Sequence, residues 1–424
     1  MVLQIKTQID KITSKFTKGG YGHSVIVLTI GTAIAQIIMI VTTPILSRLY
    51  DPEDFGLLAT FSAVSGITAT IVTLRYETAI LIPKKEKEAA VLVLLSLLLA
   101  VVFSLFFTLV SILIPVSIYE LVGINGKNIF YTLALLLGGM FSVITINQNW
   151  LNRNKLYSYM ALVRSAQSFL IAGLAIMFSL NGYSKGLIFS QILGVVIIGI
   201  VSFLLGRTAI KLWDKKYLKF VANKYRDIPK YLLPASAIDV ITLQLPVLLI
   251  AVWFGQALAG QFSMAWKLLM MPMSLIGSAI GQVFLQRFAI AIANKKEARS
   301  LLIRTWSILL VLGIPPLSII LFFGDDIFNL VLGANWSEAG RISSVLAIMV
   351  LFMFVSSPTS GTYLVLGLHK FNLIFSVFSL ITRSASLYYG FLTNDIFLGL
   401  ILFVVFEVIQ TTLYQALAWY KLKD

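Results

Sequence analysis

The chain has 424 residues, of which 58% are hydrophobic and only 12% are charged, whereas about a quarter of the residues in soluble domains are charged. This composition excludes a water-soluble globular protein, because too few polar groups are present to cover its surface. The chain contains no cysteine, which excludes disulfides, thiolate metal sites and a cysteine nucleophile. The net charge of +15 would indicate nucleic-acid binding only with an aromatic and basic platform, and the sequence shows none.

The amino-terminal segment, residues 1–22, is basic and precedes the first apolar run. It carries four lysines, and its apolar residues recur at helical spacing: Ile5, Ile9, Ile12 and Phe16. This pattern predicts an amphipathic helix on the cytoplasmic membrane surface. Residues 33–35 resemble a signal-peptidase site, but the apolar run continues to Leu46, so we expect no cleavage.

Twelve apolar stretches follow, each of roughly the twenty residues that cross a hydrocarbon core of about 30 Å. Turn and charge signals separate them. The predicted spans are 24–47, 55–82, 89–114, 128–150, 157–180, 184–206, 231–254, 258–291, 302–323, 341–366, 371–393 and 396–420. We therefore expect an all-α integral membrane protein with no soluble domain.

The cations alternate between the two sides of the predicted spans. Of 33 lysines and arginines, 25 fall on the side of the amino terminus, four fall on the opposite side, and four lie within spans. Cationic loops are retained in the cytoplasm, so both termini are predicted to be cytoplasmic in a multi-pass inner-membrane protein. The basic loops also favour contact with anionic lipid.

A hydrophilic segment, residues 207–230, divides the chain into two sets of six spans. We predict a first lobe over 23–206, a basic cytoplasmic linker over 207–230 and a second lobe over 231–424. A faint repeat relates the halves, pairing Pro44 with Pro246 and Gly56 with Gly260. Because six is even, such a repeat would be parallel.

The stretch 44–56, PILSRLYDPEDFG, and the stretch 74–80, LRYETAI, resemble the Wzx-type polysaccharide flippases. These belong to the multidrug/oligosaccharidyl-lipid/polysaccharide (MOP) superfamily. The resemblance implies two six-helix lobes in a V shape like that of MATE transporters. It also implies outward transport of undecaprenyl-diphosphate-linked oligosaccharide by alternating access. A glycan polymerase and chain-length machinery would then be partners.

Charged residues inside spans are the candidate site residues, because each costs a few kcal/mol near the bilayer centre unless it faces protein or water. The candidate substrate-binding cations are Arg383, Arg164, Lys267 and Arg75. The candidate ion-coupling or ion-pairing carboxylates are Asp239, Glu407 and Glu77. No metal-ligand cluster is present, and no cofactor is expected beyond coupling to a proton or sodium ion.

Two interpretations stay open for several of these groups. Arg383 either faces substrate or pairs with Glu407, since buried ions usually pair. Lys267 and Arg164 either line a cavity or snorkel to the headgroups. Arg75 and Glu77 lie about 200° apart on a continuous helix, so they are not expected to form a simple pair.

Three functions compete. A flippase fits the resemblance and the excess of intramembrane cations, whereas a cation-coupled multidrug exporter of the same superfamily would favour a cavity richer in carboxylate. A glycan polymerase or ligase would need a sizeable outward loop, and the sequence lacks one. The chain also has no GxxxxGK[ST] motif for ATP hydrolysis, so we expect a transporter and not an enzyme.

Overall fold

A computed structural model describes residues 21–114, 129–212 and 215–422. Within these residues the regular elements are all helical, and twelve helical stretches are long and apolar enough to cross a membrane. The predicted all-α class and span count are thereby confirmed. The predicted surface helix lies almost wholly outside the described residues.

The chain divides into two compact units, and the division cuts through the first two helices. The first unit contains the first helix up to Thr43, together with Thr68–Leu113 and Ile129–Pro234. Among the described residues, the helices up to the end of this unit are α1 (Tyr21–Leu49), α2 (Pro52–Ile71), α3 (Glu86–Leu113), α4 (Ile129–Arg153), α5 (Tyr157–Leu180), α6 (Gly186–Gly206) and α7 (Lys215–Lys224).

The second unit contains Pro44–Ile67 and Ala235–Asp424 in addition to residues that the structure does not describe. Its remaining helices are α8 (Leu233–Phe254), α9 (Gln256–Ala291), α10 (Lys295–Leu332), α11 (Ser337–Ser356), α12 (Gly361–Val365), α13 (His369–Leu392) and α14 (Ile396–Tyr420). The predicted spans 157–180 and 396–420 coincide with α5 and α14.

The segment Pro44–Ile67 belongs to the second unit because a buried tryptophan holds it there. Trp336 is fully buried and donates a hydrogen bond from Nε1 to the carbonyl of Ser47 at 2.9 Å. Its ring meets Phe55 edge to face at 5.1 Å between centroids. The lobe boundaries predicted from sequence placed this segment in the first half of the molecule, and those boundaries stay a prediction.

Two glycines allow α2 and α9 to touch through their backbones. A Cβ atom built on Gly56 would lie 1.8 Å from the carbonyl oxygen of Gln256, and one on Gly260 would lie 1.8 Å from that of Pro52. No other residue fits these positions without a shift of the backbone. The two glycines paired by the sequence repeat therefore meet directly.

The described residues of the predicted linker, 207–212 and 215–230, are largely helical. The linker contains a 3₁₀ turn, Arg207–Leu212, then the amphipathic α7, then a π-helical turn, Ile228–Leu232. Val221 of α7 is buried in the same apolar cluster as Tyr76 and Trp150. The segment is thus part of the first unit's core.

The ninth predicted span ends where the structure has a kink. The sequence places this end at residue 323, and α10, Lys295–Leu332, consists of two helical stretches that meet at Phe323, whose φ of −125° and ψ of 18° are not helical. The residues after the kink, predicted as an outer loop, form a further helical stretch to Leu332. This stretch packs closely on α11, because a Cβ built on Gly324 would lie 2.8 Å from the carbonyl oxygen of Gly340.

Candidate functional site

A buried ion pair joins two helices of the second unit, α13 and α14. Arg383 of α13 donates from Nη2 to Glu407 Oε1 at 2.8 Å and from Nε to Oε2 at 3.0 Å. Both residues are 6% exposed, and Ser379 Oγ lies 3.3 Å from the second carboxylate oxygen. Of the two interpretations of Arg383, the structure shows the pairing with Glu407.

A proline in α8 supplies a further partner for Arg383. Pro246 has no N–H, so the carbonyl of Thr242, four residues earlier, lacks its helical hydrogen bond. Arg383 Nη1 donates to that carbonyl at 3.0 Å. The guanidinium is therefore held by a carboxylate on one side and by a freed backbone oxygen on the other.

A cavity of about 340 Å³ opens beside this pair within the second unit. Asp239 is exposed and lines the cavity, and Asn372 and Tyr414 line it as well, joined by a hydrogen bond of 3.1 Å. The charged groups of the lining are one cation, Arg383, and two carboxylates. Because Glu407 neutralises Arg383, the cavity keeps one negative charge at Asp239.

Asp239 forms no ion pair with any other described residue. A short aspartate stem cannot carry the charge far from its backbone. The cavity therefore suits a small cation or a proton better than a phosphate.

In the first unit, the sequence prediction for Arg75 and Glu77 is wrong in two respects. The second span was predicted to continue to residue 82, but α2 ends at Ile71 and Tyr76–Leu81 forms a 3₁₀ helix. Arg75 and Glu77 do pair, with Nη1 and Oε1 separated by 3.1 Å. The helical angle between them does not apply, because the chain has already left the α-helix.

Backbone conformation explains the early end of α2. Leu74 and Arg75 have φ of 50° and 64°, a left-handed conformation that costs about 1–2 kcal/mol per residue. Side chains of α4 satisfy the released carbonyls: Asn149 donates to Glu77 O at 3.0 Å, and Arg153 donates to Ile80 O at 3.1 Å. These bonds hold Glu77, which is 2% exposed, inside the unit.

Arg164 and Lys267 have no carboxylate partner among the described residues. Arg164 of α5 donates from Nη1 to Thr32 Oγ1 of α1 at 3.0 Å, within the first unit. Lys267 of α9, in the second unit, is half-buried and forms no ion pair or hydrogen bond within the described part of the chain. It lies about 16 Å along the helix from Gln256.

The structure thus separates the seven predicted residues. It brings Arg383, Glu407 and Asp239 to one cavity and brings Arg75 to Glu77, while Arg164 and Lys267 stand without counter-charges in the described structure. Sequence reasoning missed Thr242, Asn372 and Tyr414. Thr242 was detectable, since Pro246 frees the carbonyl four residues before it. In the described residues, no group of three or more His, Asp or Glu side chains forms a metal site.

Comparisons with known proteins agree with this fold. The family model described as polysaccharide biosynthesis protein matches residues 45–341, more than half of the chain. No curated protein matches the sequence.

Among solved structures, the chain is similar to the lipid II flippase MurJ in an inward closed conformation, with 13% identity, a TM-score of 0.71 and coverage of 92% of this chain and 87% of that one. It is also similar to an inward-facing multidrug resistance MATE family transporter of the MOP superfamily (14% identity, TM-score 0.64, coverage 93% and 95%). A MOP superfamily transporter from Pyrococcus furiosus matches with 14% identity, a TM-score of 0.55 and coverage of 94% and 95%. The fold is therefore that of MATE and MurJ, and the chain is a multi-pass membrane protein.

Proposed function

Because the chain belongs to the polysaccharide biosynthesis protein family, we propose that it is a flippase for undecaprenyl-diphosphate-linked oligosaccharide. It moves this lipid from the cytoplasmic to the outer leaflet of the bacterial inner membrane by alternating access. The fold it shares with a lipid II flippase supports the proposal. It acts as a transporter and not as an enzyme.

The observation that carries the proposal is Lys267. A cation without a counter-charge, on a helix of 36 residues long and apolar enough to span a membrane, costs a few kcal/mol unless water or an anion meets it. A diphosphate brings at least two negative charges, and such charges cannot enter a low-dielectric passage without fixed cations. Lys267 supplies one such cation.

Arg164 is the corresponding cation of the first unit. Its guanidinium gives one hydrogen bond to Thr32 and keeps further N–H donors for the two parallel bonds that arginine forms with phosphate. Arg75 and Arg383 are less suitable, since each is already bound to a carboxylate. Arg164 in the first unit and Lys267 in the second are therefore each proposed as a cation that binds the diphosphate, taken unit by unit.

Ion exchange at Asp239 drives the cycle. Its carboxylate is exposed in the cavity beside the Arg383–Glu407 pair and has no counter-cation in the described structure. Binding and release of a proton or a sodium ion there would reset the transporter. Glu407 and Glu77 are neutralised by arginines and serve to hold the fold.

The proposed setting is the inner membrane with both termini cytoplasmic. Basic residues of the described segment after α6, such as Lys211 and Lys219, would then face anionic lipid. Glycan polymerase and chain-length machinery would receive the product on the outer side.

A cation-coupled multidrug exporter is the second candidate. The net negative cavity at Asp239 favours it, because a cationic drug would find its counter-charge there. The MATE fold is compatible with either function. The two proposals differ in the sign of charge that the substrate must carry.

Deletion of the gene tests the proposal. The flippase predicts lipid-linked oligosaccharide accumulating on the cytoplasmic leaflet and loss of surface glycan, both restored by the gene on a plasmid. Normal surface glycan in the deletion strain, with no redundant transporter present, would reject it. Increased sensitivity to cationic drugs with normal surface glycan would favour the exporter.

A further inference from the structure

The second unit contains another cavity, of about 580 Å³, between α9 and the end of α11. This size lies within the range of about 300–1,000 Å³ found for small-molecule sites. Its wall has no charged side chain and combines methionines with polar groups that include Ser274, Ser278, Gln282, Ser357 and Ser360.

A proline turn shapes the cavity. After α11 the chain forms a 3₁₀ turn at Ser357–Thr359 and resumes as α12. Pro358 in this turn lies against α9, where Cβ atoms built on Gly277 and Gly281 would be 3.4 Å and 3.3 Å from it. The turn points Ser357 and Ser360, both exposed, toward the same space.

The polar groups of α9 indicate that the cavity is wet. Ser274, Ser278 and Gln282 recur every fourth residue and therefore share one helix face. All three are exposed on a helix long and apolar enough to span a membrane. Polar groups at that depth face water or protein, because hydrocarbon gives them no hydrogen bonds.

The hydroxyls are set to accept hydrogen bonds. Ser274 donates to Met271 O at 2.9 Å and Ser278 to Leu275 O at 3.0 Å, and Ser360 donates to Ser357 O at 2.7 Å. Each donor is used within the chain, so each oxygen keeps acceptor capacity for a ligand. A ligand rich in O–H donors and free of charge fits such a wall, and Met273 offers apolar contact for C–H faces.

This cavity adjoins the one beside Arg383. Met353, Ser357 and Ser360 line both. The second unit therefore presents a charged compartment and a neutral compartment side by side.

We infer that the neutral cavity binds sugar residues of the transported glycan. The inference rests on the proposed flippase function and adds a glycan subsite at Ser274, Ser278, Gln282, Ser357 and Ser360, separate from the diphosphate ligands. The lipid tail and the diphosphate bind elsewhere.

Cysteine protection tests the subsite, because the natural chain has no cysteine. Ser278→Cys and Gln282→Cys are made separately in the full-length protein, with Thr393→Cys at the exposed end of α13 as the control. The purified proteins react with a small charged methanethiosulfonate. Each labelling reaction is run under three conditions: without lipid, with undecaprenyl-diphosphate oligosaccharide extracted from the native host, and with undecaprenyl diphosphate. Native mass spectrometry of the unmodified protein records whether each lipid binds.

The glycan-bearing lipid, at ten times its Kd, should slow labelling at 278 and 282 about tenfold, since roughly a tenth of the sites stay free. Undecaprenyl diphosphate should leave both rates unchanged, and the Thr393→Cys control should react equally in all arms. If the glycan lipid binds but protects neither position, the subsite is overturned while the flippase proposal stands. The same holds if the lipid without sugar protects both positions equally. Failure of the unmodified protein to bind the glycan lipid would overturn the flippase proposal and the subsite with it.

Discussion

Arg383 donates a hydrogen bond to the carbonyl of Thr242 at 3.0 Å, and this carbonyl is free because Pro246 lacks the N–H that would normally claim it. The proline thus creates a free acceptor in the interior of a helix that is long and apolar enough to cross a membrane. With Glu407 on its other side, the guanidinium joins α8, α13 and α14. The pair consequently has a structural role that its position in the sequence alone did not decide.

Removing one partner of the Arg383–Glu407 pair should destabilise the protein more than removing both. Arg383→Gln or Glu407→Gln leaves a buried charge uncompensated, at a cost of about 3–5 kcal/mol. The double variant leaves none. We expect thermal unfolding of the purified protein to show a large loss of Tm in each single variant and a smaller loss in the double variant. Additive losses would show that the two side chains do not stabilise each other.

Lys267→Gln should reduce glycan export by about tenfold or more, equivalent to roughly 1.4 kcal/mol of lost charge interaction, with normal protein abundance in the membrane. Lys267→Arg keeps the charge and should retain most activity. Lys296→Gln, an exposed position at the start of α10, is the matched control. Surface glycan measured against membrane abundance checks the result, and full activity of Lys267→Gln would remove this residue from the substrate path.

Asp239→Asn should abolish the dependence of export on an ion gradient while leaving binding of the glycan lipid intact. The amide keeps the size of the side chain but cannot exchange a proton or hold a sodium ion as a carboxylate does. Transport in reconstituted vesicles, with imposed proton or sodium gradients, measures the effect. Export that still follows the gradient would place coupling at another group.

Gly260→Ala should destabilise the second unit by about 1–3 kcal/mol, because the added carbon overlaps backbone atoms that cannot move aside. Gly173→Ala in α5 is the control, since nothing lies within 4 Å of a Cβ built there. In that helix interior the same change should stabilise by about 0.5–1 kcal/mol. Opposite shifts of Tm are therefore expected, and equal shifts would contradict the close contact with Pro52.

A reporter fused after residue 220 should be cytoplasmic. The asymmetry of 25 cations against four across the predicted spans motivates this orientation. Alkaline phosphatase fused there should be inactive, and a fluorescent protein that folds in the cytoplasm should fluoresce. An active phosphatase would invert the topology.

Hydropathy and charge predicted the twelve spans well, because span length is imposed by the bilayer. They failed where packing decides. The end of α2 at Ile71 depends on Asn149 and Arg153, which capture carbonyls more than seventy residues away in sequence. The helical stretch from Gly324 to Leu332, beyond the kink at Phe323, likewise packs on α11 where Gly324 meets Gly340.

The candidate site was predicted in its charges, and the pair of Arg383 with Glu407 was one of two interpretations that the sequence left open. The cost of a charge inside the membrane identifies Arg383 and Glu407 from sequence, but only the packing of the helices decides whether Arg383 pairs or faces a substrate. The hydroxyls of the neutral cavity carried no signal, since Ser278 looks like any serine that bonds its own helix.

The packing of the segment after α6 decides where the molecule can be divided. Tyr76 donates from its hydroxyl to the carbonyl of Ala222 at 3.0 Å, and Lys224 meets Glu88 at 2.6 Å. A fragment ending at Gly206 would lack both contacts and expose the apolar surface that Val221 covers. Tyr225 and Ile228 pack on the same core, so when the two halves are produced from separate genes the cut belongs after Leu232, at the end of the π-helical turn. Fragments divided there should reassemble into an active protein, whereas fragments divided at Gly206 should not.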